Sequence, residues 1–287
     1  MAVIYREIRV ETGNFARVHI FPVRPVARGR KEKNKPTRAT QDRLNRKNRI
    51  HKLTDILNLN FDSSAWVLRL DYYLFREMYG RNPTDDEIQR ELHNYMRRLK
   101  HKYDKRGIEL KWVVCTEIGA RGGLVHHHIV VNNGVELDEI KRLWKCGGVG
   151  WSEKHGPHLY FDEHGAYDLA KYMVKDKLRY KSYSCSRNLK RPHESGRDKC
   201  IYKNDYRITQ KKFCAIASND IGTISKLYPE WRIASLGDIE YIIDYDTGEV
   251  REPMMSPFLT LWLYKPQAIS PKENYKNKNI IMQNWRK

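Results

Sequence analysis

Five cysteines stand in the 287-residue chain, Cys115, Cys146, Cys185, Cys200 and Cys214, and no two of them form a C-x-x-C pair. An odd, scattered set supports neither a disulfide framework nor a cysteine zinc site, so a reducing cytoplasm is the expected compartment. Glycine never precedes lysine. The G-x-x-x-x-G-K-[ST] phosphate loop is therefore missing, which disfavours an ATP-driven motor on this chain. No apolar run reaches the roughly 18–20 residues that cross a bilayer, and the opening MAVIYREIRV lacks the apolar stretch of a secretory signal. The expectation is a soluble protein with no membrane partner. With 40% hydrophobic and 11% aromatic residues, the chain holds enough apolar material for a real core, and global disorder is excluded.

Acidic residues are also scarce, 35 Asp and Glu against 54 Lys and Arg, for a net charge of +19. The excess is not uniform. Residues 1–50 hold 14 cations and 4 anions, or +10, and residues 171–212 hold 14 and 4, again +10. Between them, residues 51–170 hold 17 and 18, or −1, and residues 213–287 are neutral at 9 and 9. Focused positive charge is the footprint of a polyanionic partner, and nucleic acid fits because each phosphate neutralised releases condensed counterions. Solvated basic loops with no partner are the plainer alternative.

Local patterns predict the elements. Residues 3–10 and 15–22 alternate apolar and polar around Glu11-Thr12-Gly13-Asn14, a hairpin signal. Arg24 to Pro36 reads as a basic arm, and from Thr37 the positions Leu44, Ile50, Leu53, Ile56 and Leu57 approximate a helix with a cationic outer side. A strand is expected over 65–73. A helix over about 85–103 should follow, started by a Thr84 to Glu87 capping box and striped with Ile88, Leu92, Tyr95, Met96 and Leu99. Strands at 110–117 and 124–131 flank a glycine-rich turn. A short helix over 137–145, a strand at 158–161 and a helix over 166–177 complete a β-α-β-β-α-β-α order. Such an order gives an antiparallel sheet covered by helices, an α+β layer fold of ferredoxin-like type. Beyond 178 comes a basic Ser/Tyr/Arg-rich loop, then β-leaning stretches at 240–244 and 258–264 and a polar tail from Pro266. The expected organisation is a basic N-terminal hairpin, arm and helix over 1–59, a central domain with its basic loop over 60–204, a β-rich extension over 205–265 and a tail over 266–287.

Three histidines, His126-His127-His128, interrupt an otherwise apolar strand. Side chains alternate across a strand, so His126 and His128 share one face about 7 Å apart and His127 takes the other. Two imidazoles so placed can share a metal ion. Glu117, brought back by the turn, offers a third ligand; a carboxylate with two neutral imidazoles suits Mg²⁺ or Mn²⁺ acting on phosphate, with zinc left open. A polar histidine ridge without metal is the bland alternative. In the following helix Tyr172 and Lys175 lie at i and i+3 on one side. A tyrosine hydroxyl, with its pKa near 10, needs a nearby cation to become a nucleophile, and Lys175 and a metal would provide one. Taken alone among 18 tyrosines, Tyr172 reads as an interior aromatic and Lys175 as a surface charge.

Together these residues resemble the HUH endonuclease superfamily, and specifically its rolling-circle replication initiator (Rep) branch. His126-His127-His128 is similar to the His-hydrophobe-His motif, with His in place of the apolar residue. Lys171-Tyr172-Met173-Val174-Lys175-Asp176 resembles the tyrosine motif, and Leu68-Arg69-Leu70-Asp71-Tyr72 is a looser likeness to the first strand motif. The resemblance spans about 60–178. In relaxases the tyrosine precedes the histidines; here it follows them, as in replication initiators and the much shorter single-strand transposases. Tyr167 stands five residues before Tyr172, which leaves the two rings about 140° apart on a helix, so a single nucleophile is expected.

The resemblance implies metal-assisted nicking of single-stranded or hairpin origin DNA, with Glu117, His126 and His128 as ligands of Mn²⁺ or Mg²⁺, Tyr172 as nucleophile and Lys175 assisting it. A 5′-phosphotyrosyl link and a free 3′-OH would result, with a separate host helicase and polymerase. Lys171, Lys177, Arg179, Lys181, Arg187, Lys190 and Arg191 would guide the strand, with Tyr180 and Tyr183 available for stacking. Rival readings are a non-catalytic origin-binding regulator and a HUH transposase or relaxase. A histidine-triad hydrolase would need histidine at 124 or 130, where Leu and Val stand, and the zinc deaminase signatures are absent.

Overall fold

The computed structural model describes residues 4–22, 38–119, 124–174, 183–191, 202–236, 242–243, 250–251 and 259–269. In chain order the elements begin with β1 (Ile4–Thr12), β2 (Phe15–Pro22), α1 (Arg38–Asn60), β3 (Trp66–Asp71), α2 (Tyr73–Tyr79) and α3 (Asp85–Lys105). Then come β4 (Trp112–Ile118), β5 (Val125–Val131), α4 (Leu137–Leu143), β6 (Val149–Gly150), α5 (Tyr167–Met173) and β7 (Ser184–Cys185). The remainder is β8 (Tyr202–Thr209), α6 (Gln210–Ala217), α7 (Ile221–Leu227), β9 (Arg232–Leu236), the pair β10 (Ile242–Ile243) and β11 (Val250–Arg251), and β12 (Leu259–Tyr264). The class is α+β, with two five-stranded antiparallel sheets among the described residues. The chain divides into two compact units, one drawn from Met1–Leu59, Phe161–Ala170 and Lys190–Ile269, the other from Asn60–Tyr160 and Lys171–Leu189.

In the first unit the strand order is β8-β1-β2-β12-β9. The expected N-terminal hairpin is present, turning at Gly13, whose φ of +69° suits a residue without a Cβ. Sequence patterns gave no sign that β12 pairs with β2, closing the two ends of the chain into one sheet. One face, Ala16, Val18, Ile20, Leu259, Leu261 and Leu263, buries against Phe213 and Ile216 of α6, Ile224 of α7 and Tyr228. The other carries Arg17, His19, Thr260 and Trp262, with Arg17 Nη2 donating to Asp55 of α1 at 2.9 Å. Here α1 buries Ile50, Leu53, Ile56 and Leu57, the helical stripe expected from the sequence. The β-leaning reading of 205–265 needs correction at α6 and α7. Thr209 and Asp220 each cap a helix there by accepting a backbone N–H three residues on, Lys212 and Thr223 respectively, and both helices are short enough for local preference to mislead.

In the second unit the order is β6-β3-β5-β4-β7, with β5 paired antiparallel to both β3 and β4. Leu68, Leu70, Val114, Ile129 and Val131 form the sheet's apolar face and pack on Ile88, Tyr95, Leu99 and Tyr103 of α3 and Ile140 of α4. The capping box forms as expected: Thr84 accepts from Glu87 N–H, and the Glu87 side chain accepts from Thr84 N–H. Two local expectations change. The strand expected over 65–73 stops at Asp71, whose carboxylate accepts the Tyr73 N–H at 3.1 Å and starts α2 instead. The fourth strand is β6 rather than 158–161, because the Asp71 carboxylate also accepts the Gly148 N–H at 2.7 Å and draws that loop beside β3, whereas His158 makes only an isolated bridge to Trp66. The approach is close enough that a Cβ on Gly147 would stand 2.2 Å from the Asp71 carboxylate.

Candidate metal centre and nucleophile

The register of the second sheet assembles the site. β5 is its central strand, with Glu117 of β4 directly across from His126 and Cys115 across from His128. Alternation then puts Cys115, Glu117, His126 and His128 on one face and His127 on the other. Glu117, His126 and His128 are all buried, and one donor atom from each lies within 4.8 Å of the others. Glu117 Oε1 is 2.5 Å from His126 Nε2 and 3.6 Å from His128 Nε2.

The electrostatics favour a shared cation. Burial first, then His128 and Arg69, lowers the His126 pKa, with Glu117 pulling the other way, so the imidazole is biased toward its neutral form. His126 Nδ1 lies 3.3 Å from the Leu124 carbonyl, which holds the proton on that nitrogen and leaves the Nε2 lone pair facing Glu117. His128 Nε2 is buried and makes no hydrogen bond. A desolvated nitrogen lone pair and a carboxylate converging on one point cost free energy unless a cation lies between them. The donor set of one carboxylate and two imidazoles fits Mn²⁺ or Mg²⁺.

His127 behaves differently. It is fully buried on the core face, with Nε2 at 2.8 Å from the Tyr72 hydroxyl and Nδ1 at 2.9 Å from Thr116 Oγ1. Both ring nitrogens are engaged and burial pushes its pKa down to about 3, so it is a neutral core residue.

The tyrosine expected from sequence lies beside the histidines. Tyr172 of α5 is half-exposed, and its ring meets that of His128 edge-on with centroids 4.9 Å apart. Beneath it the buried Cys115 thiol donates to the Met173 carbonyl at 2.9 Å, tying the end of α5 to the face that carries Glu117 and His128. Tyr167, at the other end of the helix, packs on Trp262 and His51 in the first unit. Cys115 escaped the sequence reading although its position two residues before Glu117 placed it on the same face. Asp71, across from His126 on β3, instead holds the loop through Gly148.

Of the strand-guiding residues, Lys171, Arg187, Lys190 and Arg191 are exposed and Tyr183 is half-buried. Lys175, Lys177, Arg179, Lys181 and Tyr180 lie outside the described residues. No described helix is long and apolar enough to cross a membrane.

Neither a curated protein nor a solved structure matches the chain. Residues 65–177, however, match a family model described as Replication-associated protein ORF2, a stretch that holds β3, Glu117, all three histidines and Tyr172. Through this segment the protein belongs to the ORF2 family of replication-associated (Rep) proteins, initiators of rolling-circle replication.

Proposed function

We propose that the protein is a site-specific single-strand endonuclease and strand transferase that opens rolling-circle replication by nicking single-stranded or hairpin origin DNA. The observation that carries this is the contact of Tyr172 with His128, which sets a half-exposed hydroxyl-bearing ring against the buried Glu117, His126 and His128 cluster. The strand order β6-β3-β5-β4 supports the ferredoxin-like arrangement expected of a HUH nuclease.

Tyr172 Oη attacks the scissile phosphorus. A phosphorus–oxygen bond to tyrosine forms, the bond to the 3′-oxygen breaks, the phenol proton passes to solvent and the departing oxygen is protonated to a 3′-OH that primes synthesis. Attack by a later 3′-OH on the 5′-phosphotyrosyl link reverses the step and frees Tyr172. Glu117, His126 and His128 would hold a divalent cation, which when bound supplies Lewis-acid stabilisation of charge on the phosphate oxygens. The Cys115 bond to Met173 keeps the Tyr172 turn seated on the sheet. Lys175 would favour the phenolate. Exposed Lys171, Arg187, Lys190 and Arg191 would draw in the strand with the strong salt dependence of phosphate contacts. Unwinding and synthesis fall to a separate helicase and polymerase.

The test is incubation with Mn²⁺ and candidate single-stranded oligonucleotides. A covalent adduct that survives SDS, maps to Tyr172 and vanishes in Tyr172→Phe is expected. An adduct that persists in Tyr172→Phe sinks the assignment, and binding without any adduct favours a non-catalytic origin-binding protein.

A further inference from the structure

The nuclease site accounts for one unit of the chain and leaves α6 and α7 of the other without a task. These two helices are joined by three residues, Ser218, Asn219 and Asp220, and every backbone group of that turn is committed. Asn219 is the sole described residue other than glycine with a positive φ, +58°. Its N–H donates to the Ile216 carbonyl at 2.9 Å, and the Asp220 N–H donates to the Ala215 carbonyl at 2.9 Å. That pair of bonds is a Schellman ending for α6. Asp220 is also the N-cap of α7, its carboxylate accepting from the Thr223 N–H at 3.2 Å and from the Thr223 hydroxyl at 2.7 Å. One residue thus closes the first helix and opens the second, which sets a fixed angle between them.

Burial gives the pair an inside and an outside. Phe213, Ile216, Ile224 and Tyr228 face the core, with Phe213 stacked on Tyr5 at 4.0 Å. Ile221, Gly222, Ser225 and Lys226 form one continuous outer face of α7, with Ile221 64% exposed. Exposed cations border it: Lys211 and Lys212 open α6, and Arg232 starts β9; the exposed Glu230 is an acid nearby in sequence. The basic block of 171–212 runs directly into α6.

We propose that α6 and α7 form a helix-turn-helix unit that reads double-stranded DNA, with the outer face of α7 entering the major groove. Two short helices joined by a tight turn, the second one presented, is the arrangement that places a recognition helix in that groove. The chemistry of the outer face suits base edges: an isoleucine for a thymine methyl, a serine for a base donor or acceptor, and a glycine that lets the backbone approach. Lys211, Lys212, Lys226 and Arg232 supply phosphate contacts that fix register without reading sequence. The inference extends the initiator reading by giving the chain a duplex-reading element separate from the residues that would cut the single strand.

The test uses the full chain with EDTA present, so that its outcome does not depend on cleavage. A duplex library randomised over about two helical turns is selected by binding. The wild type is expected to enrich one sequence. The triple variant Ile221→Ala, Ser225→Ala, Lys226→Ala should bind that duplex about tenfold or more weakly, while keeping its circular dichroism and its affinity for single-stranded oligonucleotides. Lys226→Ala alone should weaken all duplexes alike and reduce the salt slope by about 1. Failure to enrich any sequence overturns the proposal. So does enrichment of the same sequence at the same affinity by the triple variant, or self-association through this face in place of duplex binding. Loss of the Tyr172 adduct with duplex selection intact would instead count against the nuclease reading alone.

Discussion

Both five-stranded sheets carry titratable side chains on one face, yet the two faces are wired differently. On the first sheet the groups pair with one another: Arg17 with Asp55 at 2.9 Å, Arg17 Nε with His19 Nε2 at 3.1 Å, and His19 Nδ1 with the Thr260 hydroxyl at 3.1 Å. The Arg17 guanidinium also lies over the Trp262 ring at 5.3 Å. On the second sheet the Glu117, His126 and His128 donor atoms converge, and His128 Nε2 has no hydrogen bond. Burial is common to both, so burial alone does not mark a functional site. Convergence of donors with a nitrogen left over does, because a desolvated lone pair is retained at a cost in stability that a structural role does not require.

Breaking the first sheet's pairing should have the largest effect on folding. Asp55→Ala leaves the Arg17 cation buried without its carboxylate, and about 3–5 kcal/mol of stability should be lost in urea titration, with adduct formation by the remaining folded protein unchanged. If stability holds while the adduct disappears, the assignment of roles to the two faces is reversed.

Acid probes the same face. Burial, with Arg17 and Lys47 nearby, pushes His19 down to about 4, and burial with Arg17, His19 and Lys47 pushes His51 to about 2. Below pH 6.5 the unfolded chain binds protons that these folded histidines refuse. The stabilisation is therefore full above pH 6.5 and is lost as pH falls toward 4, by roughly 3 kcal/mol for a group shifted as far as His19. Amide exchange of β2 should accelerate over that window, and a flat profile would show that the histidines are not held neutral.

At the convergent cluster the effect should fall on chemistry. His128→Ala should reduce Mn²⁺-dependent adduct formation about 100-fold or more, while the metal-free protein loses less stability than Asp55→Ala does. Equal losses in stability would make His128 an ordinary core residue. The smallest effect is expected at Cys115→Ala, about tenfold in kcat with KM little changed, since it loosens Tyr172 without touching DNA. Cys115→Ser, which keeps a donor toward the Met173 carbonyl, should recover most of the rate.

Much of this was legible in the chain because it is local. The Thr84 and Glu87 capping box, the turn at Gly13 and the α1 stripe of Ile50, Leu53, Ile56 and Leu57 each depend on residues a few positions apart, and all appear as expected. The same holds for the division of the histidine triplet. The misreadings at α2, at β6 and at α6 and α7 concern elements of two to eight residues, where pattern does not separate strand from helix and a side chain elsewhere decides. Asp71 is the example: one carboxylate starts α2 and draws in the loop before β6.

By itself the sequence determined that His126 and His128 share a face opposite His127, since a strand repeats every two residues, and that a tyrosine helix follows them. Tertiary structure decided that Glu117 stands across from His126, that the Cys115 thiol seats the turn carrying Tyr172, and that the N-terminal hairpin joins β12 in one sheet. Periodicity is a property of neighbouring residues. Register and closure depend on contacts between residues distant along the chain, whose loop entropy only the packed fold offsets.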